Sequence, residues 1–450
     1  MEINLTQGSE FKTLVKFSLP FLLANFLQTL YGMADLFIAG QFNGSEIITA
    51  VSVGSQIMHM LTVIIVGLSM GSTVLIGRAV GAKDSKGIKT VISSTIIVFT
   101  ITALLLTAIT ICCCPLIVKL VSTPPEAIEQ TKIYLWICFA GIPFITAYNV
   151  IAAVFRGLGD SKSPMIFISI SCVINIALDY LFMGYFKMEA GGAAIATVLA
   201  QTISVAISLI AVIKLRKNKV VSNLEKTSIV KTDKKCAGEI LKIGLPVAVQ
   251  DGFIQISFLV ITIIANSRGV DVAASVGVVE KIICFLFLVP SAMLSSVSAI
   301  AAQNYGANEP KRAKKTLYYG ILIGVCSGLI FAILFQFISE PVIYLFSREE
   351  NVIKLGSQYM HSYVFDCVFA AIHFSFSGYF CACKKSIYAF IHNIISIILI
   401  RIPGAYLASI IFPQTLFPMG LAATTGSLLS SFICFFIFIS PGFKKSLSKL

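Results

Sequence analysis

The sequence predicts an all-α integral membrane fold: twelve transmembrane helices in two parallel-repeat six-helix bundles around a central cavity. Three observations carry this expectation: the length of the apolar runs, the placement of the basic residues, and a set of motifs that recurs after about 225 residues. Of 450 residues, 57% are hydrophobic and 12% charged, and the mean hydropathy is +0.91. Soluble chains carry roughly 25% charged residues, so a soluble globular domain is excluded.

Apolar runs long enough to cross a bilayer lie at approximately 14–38, 47–75, 90–114, 130–153, 163–186, 191–213, 243–267, 273–300, 317–339, 353–380, 386–411 and 418–441. The first should remain in the mature protein. MEINLTQGSEFKTLVKF lacks the basic start, short apolar core and small-residue cleavage site of a signal peptide.

The loops alternate between rich and poor in basic residues. One set holds Lys12 and Lys16, then Arg78 to Lys89, Arg156 and Lys162, the stretch 214–242, Lys311 to Lys315, Lys384 and Lys385, and Lys444 to Lys449. The other has Lys119, Lys132, Lys187, Arg268, Arg348 and Lys354. This is the positive-inside pattern, which predicts both termini in the cytoplasm. It also explains the net charge of +13 as topology and attraction to anionic lipid. Nucleic acid is therefore not an expected partner.

Most of the twelve cysteines fall within spans, where a small hydrophobe is the ordinary role, so no disulfide framework is expected. Cys381-x-Cys383 has no second pair at zinc-ligand spacing.

The one long polar stretch, 214–242, separates an N-terminal six-span bundle (1–213) from a C-terminal one (243–450) and reads as a basic cytoplasmic linker. The halves share landmarks. Gly81-Ala82-x-Asp84-x-Lys86-x-x-Lys89 returns as Gly306-Ala307-x-Glu309-x-Lys311-x-x-Lys314. Phe17-x-Leu19-Pro20 returns as Ile243-x-Leu245-Pro246, and Gly192-x-Ala194-x-x-Thr197 as Gly420-x-Ala422-x-x-Thr425. With an even number of spans each, the halves keep one orientation. Parallel repeats of this kind place transporter sites where the halves meet.

Inside the apolar runs of the first half stand Asp35, Asn175, Asp179 and Thr197. Asn175 and Asp179 are four apart and share a helix face. A central aspartate costs about 2.5 to 3.5 kcal/mol on insertion scales, so one that persists usually faces a polar cavity. The group is all oxygen-bearing, which suits a hard monovalent cation or a proton equally; the structural alternative is polar packing within the bundle.

In this order the motifs make the chain similar to the multidrug and toxic compound extrusion (MATE) transporters of bacterial type. The likeness covers nearly the whole chain: twelve spans in two halves, Pro20 and Pro246, Asp35, Arg156-Gly157-x-Gly159-Asp160, Asn175-x-x-x-Asp179 and the repeated Gly-Ala loop. The resemblance implies that Asp35, Asn175, Asp179 and Thr197 form a cation-coupling site. It also implies a bendable first helix at Pro20, where position alone would equally allow a helix-start proline. Some members have a second acidic site built from a glutamate in the seventh span and an acid in the tenth. Here the seventh span offers Gln250, Asp251 and Gln255 but no mid-span glutamate, while Asp366 matches the family acid. Asp366, Gln255 and Asp251 are thus the second-half candidates for substrate or ion binding, with a packing acid as the alternative for Asp366.

Glu280 and Lys281 are neighbours in sequence and cannot face each other on a helix. Arg401 lies deep in the eleventh span, where a carboxylate partner or a gating role would account for it. His59 and His392 are expected to be packed side chains, and aromatics such as Tyr31, Phe37, Tyr148, Phe155 and Phe253 could offer flat faces to drugs.

The expected function is a Na+- or H+-coupled antiporter exporting small organic, often cationic, compounds by alternating access. The expected partners are those compounds, the coupling cation and membrane lipid. A monomer in the cell membrane is expected, with no cofactor and no metal beyond Na+ at Asp35, Asn175 and Asp179. A lipid-linked oligosaccharide flippase of related fold is the alternative, although it would need a basic cavity. An enzyme is not expected: there is no H-E-x-x-H cluster, no nucleophile motif and no Walker loop.

Overall fold

The computed structural model describes residues 5–121, 123–217 and 233–447. Among them every regular element is helical. In hydrocarbon a backbone must satisfy its own polar groups, and a helix does so within one segment. Among the described residues ten helices are long and apolar enough to cross a membrane, and two bent pairs bring the number to as many as twelve.

The chain packs as two compact units, one of Leu23–Leu241 and one joining Asn4–Leu22 to Lys242–Leu450. The first helix, α1 (Glu10–Phe42), therefore serves both: it changes unit two residues after Pro20, which lies well inside it. Interior proline removes a backbone hydrogen bond from the preceding turn. The helix-start alternative for Pro20 is thus set aside by its position.

In the first unit α1 is followed by α2 (Ser45–Gly81), α3 (Ser85–Leu120), α4 (Ile128–Ala140), α5 (Ile142–Leu158), α6 (Lys162–Asp179) and α7 (Glu189–Lys217). The fourth span is not straight: α4 and α5 meet at Gly141 with a bend of 49°. After α6 the helix widens into a π segment, Tyr180–Tyr185. Helix approach relies on small residues, because lipid supplies no hydrophobic drive between spans. A Cβ at Gly157 of α5 would stand 2.9 Å from the Thr73 carbonyl oxygen of α2, and Thr73 itself donates to the Ala153 carbonyl at 3.1 Å.

The second unit runs α8 (Lys234–Asn266), α9 (Val270–Leu286), α10 (Leu288–Gly306), α11 (Pro310–Tyr344), α12 (Glu350–Tyr363), α13 (Asp366–Ala382), α14 (Ile387–Ser396), α15 (Ile402–Ile411), α16 (Phe417–Ile439) and α17 (Pro441–Leu447). Of the linker expected over 214–242, residues 218–232 lie outside the described residues, and the stretch from Lys234 onward is already helical.

The internal repeat extends to backbone detail. Lys83 and Asn308, 225 positions apart, both take positive φ (55° and 58°), as do Gly159 and Lys384 (93° and 56°). The tenth span breaks by 40° between α12 and α13, as the fourth does, and the eleventh carries a π segment, Ile397–Arg401, as the fifth does. Pro115 in α3 and Pro341 in α11 also correspond.

Candidate functional site

Three helices of the first unit converge on a polar cluster. Asp35 comes from the last third of α1, Asn175 and Asp179 from the last turns of α6, and Thr197 from α7. All four are buried: Asp35 is 2% exposed and Asp179 0%. The Thr197 hydroxyl donates to Asp35 Oδ2 at 3.4 Å, while the Asp179 carboxyl and the Asn175 amide face the same carboxyl group. Asp179 is the last α-helical residue before the π segment, a distortion often found at functional sites.

The cluster is under-satisfied. Asp35 Oδ1, both carboxyl oxygens of Asp179 and both polar atoms of Asn175 are buried without a hydrogen-bond partner. Asp35 and Asp179 are close enough to interact, but two carboxylates offer each other only acceptors. No basic side chain touches either acid among the described residues. Two like charges in a dry site cannot both persist unless a cation or a proton comes between them. The donor set, four carboxyl oxygens with an amide oxygen and a hydroxyl, fits that requirement.

Two further residues join the cluster. Gln201, one turn beyond Thr197, lies beside Tyr31, which sits one turn before Asp35, and its own Oε1 is buried without a partner. Tyr134 and Cys138 of α4 close the side facing Asp35 and Tyr31. The signal for Gln201 was its i, i+4 spacing from Thr197, which matches that of Tyr31 and Asp35.

The second unit holds a differently composed cluster. Asp366 opens α13 at the break in the tenth span and is 0% exposed. Arg401, at the end of the π segment, places Nη1 3.8 Å from Asp366 Oδ2 and donates through Nη2 to the Tyr363 hydroxyl at 2.8 Å. Its guanidinium also lies 4.8 Å from the Phe258 ring centroid. Glu280 accepts from Thr262 at 3.3 Å and lies within electrostatic reach of Arg401. Arg401 thus has the carboxylate neighbours that its depth requires. No hydrogen bond joins Asp251 or Gln255 to Asp366 among the described residues, and Asp251 lies near Cys381, fifteen residues along α13 from Asp366 (381 minus 366).

The MatE family model matches residues 20–181 and again 246–407, once in each half. The chain belongs to the MatE family. The two matches begin at Pro20 and Pro246 and are offset by 226 residues (246 minus 20), the register of the repeat. A probable multidrug resistance protein of Bacillus subtilis, YpnP, is 29% identical over 407 residues, covering 90% of each chain. A crystal structure of MATE in complex with MaL6 superposes with a TM-score of 0.89 at 20% identity, covering 99% of this chain and 98% of that one. The outward-facing conformation of a multidrug resistance MATE family transporter gives 0.89 at 19% identity, with 100% and 98% covered. As a MatE protein the chain is a multi-span membrane transporter and not an enzyme.

Proposed function

We propose that this MatE protein is an antiporter of the plasma membrane, with both termini cytoplasmic, in which Na+ or H+ enters through the Asp35, Asn175, Asp179 and Thr197 cluster and drives export of small organic, often cationic, compounds. The observation that carries the reading is the facing pair of buried acids with orphaned oxygens and no basic partner. The relatives' multidrug names support the substrate class.

Coupling requires that the cation bind one conformation better than the other, since a ligand shifts an equilibrium only by its differential affinity. In this reading Asp35 and Asp179 hold the ion, Thr197 and Asn175 orient the carboxyls, and Pro20 lets α1 change shape as the charge of Asp35 is neutralised. Each cation crossing 100 mV contributes about 2.3 kcal/mol, enough for roughly a forty-fold gradient of a neutral compound. One-for-one exchange with a monovalent organic cation would be electroneutral, so it would draw on the ion's concentration gradient alone. The interior acids Asp35, Asp179 and Asp251 favour cationic over anionic cargo.

The test is drug uptake into everted vesicles under an imposed Na+ or pH gradient. Uptake should collapse when the driving gradient is dissipated and in Asp35→Asn. Uptake that is independent of both gradients in the wild type and the variant overturns the proposal.

A further inference from the structure

A groove of about 660 Å³ lies in the second unit among α11, α13, α16 and α17. Its walls are mostly apolar and include Ile372 of α13 and Leu428, Phe432 and Phe435 of α16, with the hydroxyl-bearing Tyr318, Tyr379 and Ser431 among them. It is open to the surroundings, with Phe432 and Phe435 53% and 52% exposed. Two ammonium-bearing residues line it, Lys314 near the start of α11 and Lys444 on α17, and the Phe438 ring links their surroundings, 5.2 Å from Lys314 Nζ and 6.3 Å from the ring of neighbouring Phe443. Neither has a carboxylate partner among the described residues, whereas adjacent Lys315 is paired with Glu10.

Both lysines are held in place. Lys314 Nζ lies 5.2 Å and 5.7 Å from the ring centroids of Phe438 and Tyr318, a cation-π seat. Lys444 rides on a short helix that turns back after Ser440, whose hydroxyl accepts from the Phe443 amide at 3.2 Å. Phe443 is 1% exposed and packs edge-on against Phe380 and Tyr388 at 5.3 and 5.9 Å. This buried ring pins α17, and with it Lys444, over the groove.

We propose that the groove binds an anionic phospholipid, with its phosphate between Lys314 and Lys444 and one acyl chain along Phe432, Phe435 and Leu428. Charge decides the class: two unpaired cations at the rim repel the organic cations proposed as cargo and attract an anionic headgroup. The walls decide the source. They belong mainly to membrane-spanning helices, and beyond the two lysines their polar groups are three hydroxyls, of which Tyr379 bonds Tyr305 and Ser431 bonds the Phe369 and Ser427 carbonyls, whereas an acyl chain matches the apolar walls along their length. The groove shares no residue with the Asp35 cluster, so the inference stands apart from the coupling mechanism.

The purified full chain in neutral detergent is titrated with phosphatidylglycerol and with phosphatidylcholine of identical acyl chains, read by native mass spectrometry and thermal midpoint. The wild type should bind phosphatidylglycerol roughly thirtyfold more tightly, as two lysines near a phosphate imply. Lys314→Gln with Lys444→Gln should abolish that preference, and Lys314→Arg with Lys444→Arg should keep it. Glycerol phosphate, which lacks chains, should leave the midpoint unmoved. Equal binding of the two lipids by the wild type overturns the proposal, as does a preference that survives the double glutamine variant or is reproduced by glycerol phosphate. If the glutamine variant does not fold, a phosphatidylglycerol carrying a photoreactive acyl chain decides on the wild type. Crosslinks concentrated at 428–435 support the groove, and crosslinks scattered over all lipid-facing helices overturn it.

Discussion

Arg401 Nη1 stands 3.8 Å from Asp366 Oδ2 in the interior of the second unit, and the pair joins the break in the tenth span to the π segment of the eleventh. Deleting one partner of a buried pair leaves a charge uncompensated and costs about 3–5 kcal/mol. Arg401→Gln should therefore lower the thermal midpoint sharply. Adding Asp366→Asn should recover part of that loss, with a coupling energy of about 1–3 kcal/mol in a double-mutant cycle. Simple additivity of the two losses would show that the pair contributes nothing as a unit.

The Asp35 cluster of the first unit has the opposite electrostatics, with two acids and no basic side chain touching either among the described residues. Na+ or acid pH should stabilise the wild type against heat in detergent, whichever ion couples. Asp35→Asn and Asp179→Asn should each remove that response along with driven efflux. Thr197→Val deletes one hydrogen bond to Asp35, worth about 0.5–1.5 kcal/mol, and should weaken ion dependence up to roughly tenfold while leaving folding intact. A Thr197→Val variant whose ion titration matches the wild type would remove Thr197 from the site.

Pro20 lies fifteen residues before Asp35 on the same helix, just before α1 passes from one unit to the other. Pro20→Ala restores the missing backbone hydrogen bond and should stiffen α1. Efflux is expected to fall while ion-dependent stabilisation persists. Full efflux by Pro20→Ala would separate the bend from the transport cycle.

Glu10 at the start of α1 meets Arg312 and Lys315 of α11 at 3.5 and 3.6 Å, and Arg312 also donates to the Gly8 carbonyl at 2.9 Å and to Asn304 Oδ1 at 3.2 Å. Asn304 in turn donates to the Leu5 carbonyl. Surface ion pairs alone contribute about 0–1 kcal/mol, but Arg312 also holds the Gly8 carbonyl directly and the Leu5 carbonyl through Asn304. Arg312→Ala should raise hydrogen exchange over residues 5–12 without changing that of α16. Unchanged exchange at the N-terminal segment would assign its order to packing of Leu5 and Leu14 instead.

Several parts of this architecture were legible in the chain before folding. The hydropathy and the charge alternation imply the spans, because the bilayer acts on each helix separately and reads local composition. The repeat was visible in three landmarks, and the positive φ at Lys83 and Asn308 follows the same Gly-Ala loops. The breaks at Gly141 and before Asp366 were hidden, since an apolar run looks continuous whether or not its helix bends. Gln201 escaped notice although it stands four residues from Thr197: a lone amide in a span carries no charge to mark it. Asp251 and Gln255 were grouped with Asp366 because the second site of similar transporters draws on the seventh and tenth spans, and nothing in the sequence specified which helix faces would meet.

The sequence by itself determined that this is a helical membrane protein of duplicated design, with costly acids at Asp35, Asp179 and Asp366, because insertion energies and periodicity are local quantities. Only the tertiary structure decided which acids have partners. Asp35 and Asp179 face each other across α1 and α6 with oxygens left over, and Asp366 is met by Arg401 from a π segment 35 residues downstream (401 minus 366). Charge compensation in a dry interior depends on distances between helices, and those are fixed by packing of the whole unit rather than by any one span.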